Sequence, residues 1–430
     1  MSTAADAATG AAIAAVWRLE SARIVASVTR LTRDLGLAED AAQDALVAAL
    51  EHWPREGLPD KPGAWLLTAA RNKALDRLRH GKLSDTRLNE LGLELEAREA
   101  MIVPDFVDGL DDARRQRQLG DDVLRLIFCS CHPVLSREAR VALTLKLVAG
   151  LSTAEIARAF LQSEPTVAQR LVRAKKTLAG AGVPFDLPQG EALQERLAAV
   201  LEVVYLVFNE GYTATEGEDW LRTPLCDEAL RLARMLTELV PTEPEVHGLA
   251  ALLELQASRN GARVDAQGRP VLLMAQDRQR WDRLLIRRGL AALAQAQALA
   301  APQPPGPYAL QAEIAACHAR AAQAQDTDWA RILALYGELE ERQPSPVIAL
   351  NRVVALSMAQ GPGVALHALQ PLLADPVLAR YPWLPSVHAD LLQRLGRHGE
   401  ARAELLRAAT LTANVREREL LQARAAALDA

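Results

Sequence analysis

The stretch that decides the fold is LSTAEIARAFLQSEPTVAQRLVRAKKTL, residues Leu151–Leu178. It predicts two short helices with a tight connection between them. Ser152 is a favourable N-cap for the first helix, and Glu155 three residues later completes a capping box. The second helix is expected to begin near Ser163, because Pro165 is tolerated in a first helical turn. This order of elements is the helix-turn-helix pattern.

The second helix of this stretch separates an apolar face from a basic face. Its apolar residues recur at the spacing i, i+4, i+7 and i+11, which is one helical face: Val167, Leu171, Ala174 and Leu178. At ~100° per residue the polar side chains fall on the opposite face, with Arg170 at its edge. The members of the polar face are Thr166, Gln169, Arg173 and Lys176. Such a helix suits a DNA major groove.

A helical hairpin with a solvated basic face has the same pattern and is the alternative interpretation of these residues. The turn also departs from the commonest helix-turn-helix, because Leu161 stands where glycine is frequent. The rest of the chain has to decide between DNA binding and a plain hairpin.

The composition narrows the class of protein. A chain of 430 residues has room for about two to four domains. Half of the residues are hydrophobic, alanine and leucine dominate, and the one strand-like run lies near Val264, so we expect an all-α fold. The net charge of -5 excludes binding to a polyanion through the bulk field, so a nucleic-acid contact must be local.

The cellular compartment is indicated by the small number of cysteines and by the lack of a signal peptide or a membrane-spanning run. Four cysteines suit a reducing cytosol better than a disulfide scaffold. The opening residues, MSTAADAATGAAIAAVWRLE, lack the basic start of a signal peptide. No uncharged run approaches the ~20 residues of a membrane span. We therefore expect a cytoplasmic protein with no membrane association.

Residues 11–82 predict a compact helical domain in which an acidic helix precedes a basic one. Within Leu37–Trp53 a buried face of Ala42, Leu46 and Leu50 is expected opposite an acidic and amide face. That face consists of Glu39, Asp40, Gln43 and Asp44. The connection Pro54–Pro62, PREGLPDKP, is typical of a turn. From Trp65 to Lys82, five basic residues oppose one aspartate, which gives a local charge of +4.

This domain resembles region 2 of the sigma-70 family in its short, extracytoplasmic-function form. The resemblance rests on the order A-E-D-A-x-Q-D from Ala38, then Trp53, then W-L-x-x-A-x-R-N-x-x-x-D-x-x-R from Trp65. In that family the first helix docks on the clamp helices of the RNA polymerase β′ subunit. The proline-rich connection and the basic helix after it melt and hold the −10 promoter element.

The resemblance implies two sets of binding residues. Core polymerase would be bound by Glu39, Asp40, Gln43 and Asp44. The −10 element would be bound by Arg71, Asn72, Lys73, Arg77 and Arg79. Both assignments agree with the charges, because an acidic face suits a basic partner helix and basic side chains suit phosphates.

Residues 83–120 are expected to form an acidic linker. From Leu83 to Asp121, ten acidic residues oppose five basic ones, and Pro104 and three glycines interrupt the segment. The pattern predicts a mobile segment. It leaves open whether the linker is a plain tether or occupies a basic channel that nucleic acid otherwise fills.

Residues 121–182, which contain the helix-turn-helix, resemble region 4 of the same family. There the recognition helix reads the −35 element as a duplex, and the core contact lies on the β flap. By position, the candidates for base and phosphate contacts are Thr166, Gln169, Arg170 and Arg173, with Lys175 and Lys176 on the DNA backbone. The charge from Ser152 to Leu178 is +3, with five basic residues against two acidic ones.

A cluster of Cys129, Cys131 and His132 precedes the helix-turn-helix. The CxCH spacing is shorter than the usual zinc-ligand spacing and lacks a second ligand pair nearby. We therefore favour packing at a helix end, with a redox-sensing thiol pair as an unsupported alternative. No metal and no cofactor is expected.

The C-terminal half predicts a helical extension at residues 185–300. A central helix is expected from Leu193 to Phe208, ended by the phrase NEGY with Gly211 as C-cap. Asn209, Glu210 and Tyr212 resemble active-site residues, but packing at a helix end is favoured. RVDAQGRPVL, residues 263–272, predicts a small hairpin or an extended loop about a turn at Gln267 and Gly268.

Residues 308–430 resemble tetratricopeptide repeats, whose helical pairs recur every ~34 residues. The clearest copy is Ser386–Leu411 and a weaker copy is Trp329–Leu350. Stacked pairs of this kind build a concave surface that suits a protein partner. The whole half resembles the extension of one extracytoplasmic-function subgroup, with YLVFNEGY its most specific phrase, and implies a regulatory or scaffold role.

The order of these features predicts a sigma factor that directs promoter-specific transcription initiation. An enzyme is not expected, because neither the CxCH cluster nor the NEGY phrase comes with a base–orienter pair or a full ligand set. A one-component regulator with an operator-binding helix-turn-helix and a partner-sensing repeat domain is the alternative. Only the sigma-factor hypothesis explains an acidic helix, a basic helix and a helix-turn-helix in this order.

Overall fold

The structure is a computed structural model, and it describes residues 2–81, 121–160, 162–213, 216–217 and 220–428. The chain divides into two compact units, Met1–Val203 and Val204–Ala430. Helices dominate both units, which confirms the all-α prediction. The predicted linker at 83–120 and the turn residue Leu161 lie outside the described residues. No helix in the described ranges combines the length and the apolar composition that crossing a bilayer requires.

The first unit contains three helices of the predicted first domain and the helices around the helix-turn-helix. In chain order they are α1 (Ser2–Thr32), α2 (Leu35–Glu56), α3 (Pro62–Gly81), α4 (121–130), α5 (Arg137–Leu147), α6 (Thr153–Ala159), α7 (Glu164–Gly180) and the first part of α8 (Glu191–Tyr212). Alanines line the buried side of α2, and they let α1 and α3 approach it closely. The Trp53 and Trp65 rings meet edge to face at 5.3 Å where α2 and α3 converge.

The second helix runs further than the sequence predicts. The turn was expected to begin at Pro54, but α2 continues to Glu56 with Pro54 inside it. Pro54 is exposed, so the Leu50 carbonyl that loses its helical partner can turn toward water. Gly57, at φ +90°, ends the helix by donating its N–H to the Trp53 carbonyl at 3.0 Å.

Polar contacts join the first three helices to the helices of the helix-turn-helix within this unit. The Trp17 indole N–H donates to the Gly150 carbonyl at 3.2 Å. Gly150 has φ +71°, and a Cβ there would collide with Ser21, so glycine is required on both counts. Asp122, whose side chain is almost fully buried on α4, pairs with Arg30 of α1 at 3.0 Å. These contacts make one packed body of the two helical groups.

The second unit begins within α8 and continues through helices and two short strands. They are β1 (Glu216–Gly217), α9 (Thr223–Leu239), α10 (Pro244–Ala257), α11 (Arg283–Ala300), α12 (Pro307–Arg320), α13 (Trp329–Arg342), α14 (Pro346–Gln360), α15 (Pro362–Leu373), α16 (Trp383–Arg394), α17 (His398–Leu411), β2 (Ala413–Asn414) and α18 (Val415–Ala426). The strands pair in parallel, with Glu216 opposite Ala413. Of the hairpin and the extended loop predicted at residues 263–272, the structure has the hairpin, since Val264 bridges Pro270 around Gly268 at φ +74°.

Helices α13 to α18 follow one another along the chain and are each 12 to 15 residues long. Helices α16 and α17 coincide with the predicted copy at Ser386–Leu411, and α13 begins the weaker copy. Ala389, Ala401 and Ala408 are fully buried where these helices pack. The assignment to tetratricopeptide repeats stays a prediction.

Gly211 does not have the predicted role of a helix C-cap. Helix α8 runs through it to Tyr212, and Gly211 does not adopt a left-handed conformation. A Cβ at Gly211 would lie 2.7 Å from the Cys226 nitrogen and 2.8 Å from the Leu225 Cβ. Glycine is therefore needed for the close approach of α9, a tertiary constraint that the local sequence does not reveal.

His318 makes the second unit sensitive to acid. Its ring is buried on α12, edge to face with Trp329 at 5.2 Å. Burial, reinforced by the charges of Arg259 and Arg278, lowers the pKa of His318 to about 3. The unfolded chain, with an ordinary histidine pKa, therefore binds the proton more readily than the folded chain. The stability from neutral His318 is complete above pH ~6.5 and is lost as pH falls toward 3.

We expect His318→Phe to reduce the loss of unfolding free energy between pH 7.5 and 5.0 by about 2 kcal/mol relative to the wild type. Phenylalanine retains a ring against Trp329, and Arg278 donates to the backbone carbonyl of residue 318, which remains. Urea titrations of both proteins at the two pH values measure the difference. Equal acid sensitivity of the two proteins would show that His318 does not control it.

Candidate promoter and polymerase interface

The first helix of the helix-turn-helix is capped as the sequence predicts. The Glu155 N–H donates to Ser152 Oγ at 3.1 Å, and the Ser152 N–H donates to Glu155 Oε2 at 2.8 Å. These two bonds confirm the capping box. Burial opposes ionisation of Glu155, but the Ser152 bonds and the Arg18 guanidinium at 3.3 Å outweigh it and lower the pKa of this carboxyl.

The second helix, α7, also begins and packs as predicted. Ser163 is its N-cap, with Oγ accepting the Thr166 N–H at 3.3 Å, and Pro165 lies in the first turn. The buried residues are the four of the predicted apolar face: Val167, Leu171, Ala174 and Leu178. This core holds α7 rigidly with its polar face outward.

The structure divides the six −35 candidates into two groups. Gln169, Arg173 and Lys176 are exposed, make no side-chain hydrogen bond or ion pair with the described residues, and recur at i, i+4 and i+7. They form one stripe along α7, which we call the recognition stripe. Such a row of unpaired donors is what a major groove requires.

The other three −35 candidates have partners inside the protein. Thr166 Oγ1 lies 2.7 Å from Ser163 Oγ, and Arg170 donates to Gln162 Oε1 at 2.9 Å. Lys175 Nζ donates to Glu39 Oε2 at 2.8 Å. These contacts orient the side chains and reduce their freedom to reach DNA.

The sequence predicts that Glu39 lies on the exposed face of α2. In the structure Glu39 is buried. Only 8% of Glu39 is exposed, and its carboxylate lies between Lys175 at 2.8 Å and Lys146 at 3.9 Å. A buried carboxylate needs such partners, because isolated burial of its charge would be costly. Glu39 thereby joins α2 to α5 and α7. The predicted exposure of Glu39 is wrong, and its contact with core polymerase stays a prediction.

Leu50 differs from its prediction in the opposite sense, because it was expected to be buried and its side chain is 49% exposed. Val47 beside it is 51% exposed, and the two share the outer side of α2 with Asp40, Gln43 and Asp44. We call these five residues the docking face. The two apolar side chains are the functional candidates that the sequence interpretation missed. Their signal was their helical spacing of four and seven residues from Gln43.

The docking face is in contact with one −10 candidate of α3, Arg77. Arg77 pairs with Asp44 at 2.7 Å and with Asp40 at 3.4 Å, so these predicted core and DNA residues lie together. Arg71 is half-buried against Ser27 of α1, at 3.5 Å. The remaining candidates are exposed on α3: Asn72, Lys73 and Arg79.

The cysteine cluster packs at the end of α4. Cys129 and Cys131 are buried, and the Cys131 sulfur lies 3.2 Å from Thr144 Oγ1. Burial raises the pKa of each thiol to about 11, so both stay protonated at neutral pH. His132 Nδ1 accepts the Val134 N–H at 3.2 Å. Across the described ranges, no three histidine, cysteine or acidic side chains are grouped as metal ligands.

Family models match both parts of the first unit and the start of the second. Residues 17–83 match sigma-70 region 2, and residues 128–178 match sigma-70, region 4. Residues 196–297 match a family of unknown function, DUF6596.

Similar proteins cover either the whole chain or its first part. An uncharacterised protein of Rhizobium meliloti (strain 1021) is 45% identical over 393 residues, which span 91% of this chain and 90% of that protein. The ECF RNA polymerase sigma factor SigL of Mycobacterium tuberculosis is 31% identical over 151 residues, 35% of this chain and 76% of SigL. SigK of Mycobacterium sp. (strain KMS), also an ECF sigma factor, is 29% identical over 164 residues, 37% of this chain and 77% of SigK.

With both sigma regions matched in order and SigL aligned over most of its length, the chain belongs to the extracytoplasmic-function group of sigma-70 family RNA polymerase sigma factors, and it carries a C-terminal extension beyond them.

Proposed function

We propose that this sigma factor works by binding alone, without covalent chemistry, at three surfaces of its first unit. The docking face of α2 binds the β′ clamp helices of core polymerase. The polar side of α3 holds the −10 strand, and the recognition stripe of α7 reads the −35 duplex. The observation that carries the proposal is the recognition stripe, whose three donors are presented on a packed helix and have no partner among the described residues.

Physical chemistry supports each assignment. A partly apolar, partly acidic helix face suits a protein partner with apolar and basic residues. The exposed basic residues of α3 suit the phosphates of a separated strand. Region 4 also offers a second core contact, on the β flap. The partner of the C-terminal extension is proposed to be a protein, and the extension to regulate the first unit.

A one-component regulator that binds an operator is the less favoured alternative. It would use the helix-turn-helix but would leave the docking face without a role. Val47, Leu50 and the two aspartates beside them would then have no binding partner.

Run-off transcription with purified core polymerase tests the proposal. We expect the full chain to make core polymerase initiate at a defined position on a subset of promoter fragments selected from genomic DNA. Core alone supplies the control for background initiation, and a scrambled −35 element the control for specificity. Operator binding by gel shift without any core-dependent transcript would favour the regulator instead.

A further inference from the structure

The second unit contains a pocket of about 370 Å³ that the sigma function leaves unused. Helices α8, α10, α12, α13 and α14 each contribute to its wall. A volume in the range of ~300–1,000 Å³ is typical of ligand sites. Three phenols and several side-chain amides line it, and we call it the tyrosine–amide pocket. Its principal polar residues are Tyr205, Asn209, Tyr212, Gln256, Tyr336 and Asn351.

Carboxamides are the commonest polar groups of the lining, beside the phenols and Ser345, and no charged side chain is among the lining residues. Each carboxamide presents one carbonyl acceptor and an NH₂ donor, the complement of a peptide group. Among the described residues, nothing bonds the side-chain amides of Asn209, Gln343 or Asn351. These three carboxamides, on α8, just after α13 and on α14, are therefore ready for a ligand.

Apolar side chains lie between these amides. Leu252, Ile314, Leu339 and Ile348 reach the same wall from four helices. In this wall, amides that could pair with a ligand's backbone alternate with apolar surface that could contact its side chains. An extended peptide fits such an alternation. Rigid tyrosines add contact area at low entropic cost, since each has only two side-chain torsions.

Two arginines contact Tyr212 and place positive charge next to the pocket. Arg259 donates to the Tyr212 hydroxyl and to Gln256 Oε1. Arg263 donates to the Tyr212 carbonyl, and its guanidinium lies 3.5 Å from the centre of the Tyr212 ring. Within the described chain neither arginine pairs with a carboxylate. Their uncompensated charge favours an acidic ligand over a basic one.

The same contacts argue against a nucleotide or a sugar. A nucleobase needs a free aromatic face for stacking. The Tyr212 ring already stacks with Phe208, with ring centres 5.3 Å apart, and the Arg263 guanidinium lies 3.5 Å from its centre. Sugar hydroxyls are held most strongly by charge-assisted hydrogen bonds to carboxylates. No carboxylate is among the lining residues.

We propose that the tyrosine–amide pocket binds an extended, acidic peptide segment, with Asn209 and Asn351 pairing with its backbone. The NEGY phrase is explained by this arrangement. Glu210 pairs with Arg222, Gly211 admits α9, and Tyr212 anchors the arginines, which leaves Asn209 for the ligand. The inference extends the proposed regulatory role of the extension by naming the class of its partner.

The experiment uses the full chain and a library of N-acetylated, C-amidated hexapeptides that are rich in Leu and Glu, with a Leu and Lys library beside it. Affinity selection identifies binders, and fluorescence polarisation of the best labelled peptide gives its Kd. We expect binders from the acidic library only. We expect Asn209→Leu and Asn351→Leu each to weaken binding about tenfold, as loss of a backbone-pairing amide in a desolvated site implies.

Gln422→Leu is the matched control, since Gln422 is an exposed amide on α18 outside the pocket. Asn351 is exposed, so its variant remains informative if Asn209→Leu unfolds. The proposal is wrong if neither library yields a binder, if the selected peptides bind both pocket variants as tightly as the control, or if AMP, GMP or maltose binds with sensitivity to Asn351→Leu instead. Run-off transcription with the bound peptide is a separate readout, and an unchanged transcript would refute regulation without refuting binding.

Discussion

Arg173→Ala is expected to weaken binding of the −35 duplex by about 1–3 kcal/mol, or roughly 5- to 150-fold, when it removes a bidentate base contact. Arg173 is at the centre of the recognition stripe, with Gln169 four residues before it and Lys176 three residues after it. Its guanidinium has no partner among the described residues, so alanine should change DNA affinity and leave the stability of α7 nearly unchanged.

The measurement is the Kd of the full chain for a −35 duplex over a series of salt concentrations. Arg380→Ala removes the same charge from an exposed position of the second unit and is the matched control. A phosphate contact would reduce the salt slope by about one without changing base preference, whereas a base contact would also relax preference at one position. Wild-type affinity for both variants would remove Arg173 from the interface.

The recognition stripe could be predicted because its determinants are local. Ser152 with Glu155, and Ser163 with Pro165, set the helix starts within a few residues, and the apolar spacing fixes which side of α7 is buried. Which polar residues are already engaged could not be predicted. Lys175 is bound by Glu39, 136 positions earlier in the chain, and no local pattern reports such a partner.

The buried face of α2 was predicted part of a turn away from its actual position, again because tertiary packing decides it. Its interior is made of alanines, which are small enough to face either way, so the leucines appeared to mark the buried side. In the structure the alanines are buried because α1 and α3 pack closely on them, and Leu50 is left outside. The tyrosine–amide pocket was beyond prediction too, since five helices and Gln343 supply it from residues about 150 positions apart.

Leu50→Asp is expected to weaken binding to core polymerase by about 2 kcal/mol, or roughly 30-fold, the loss typical of an interface hot spot. Leu50 is 49% exposed and adds apolar area to a face that is otherwise acidic. An added carboxylate would have to be desolvated against the clamp helices without a designated partner. Asp44→Ala is expected to weaken the same contact, but Asp44 also holds Arg77 at 2.7 Å, so its loss would disturb the −10 residues as well.

Leu284→Asp is the control that separates docking from surface chemistry. Leu284 is 47% exposed near the start of α11 in the second unit, so the same substitution changes charge and apolar area equally. Titration of labelled core polymerase gives the Kd for each variant, and urea unfolding shows whether either substitution costs stability. If Leu50→Asp bound core as tightly as Leu284→Asp, α2 would dock through another side. Glu39 is the one residue predicted to bind core polymerase that is buried. To contact the polymerase it would have to leave Lys175 and Lys146, so binding would depend on separating α2 from α7.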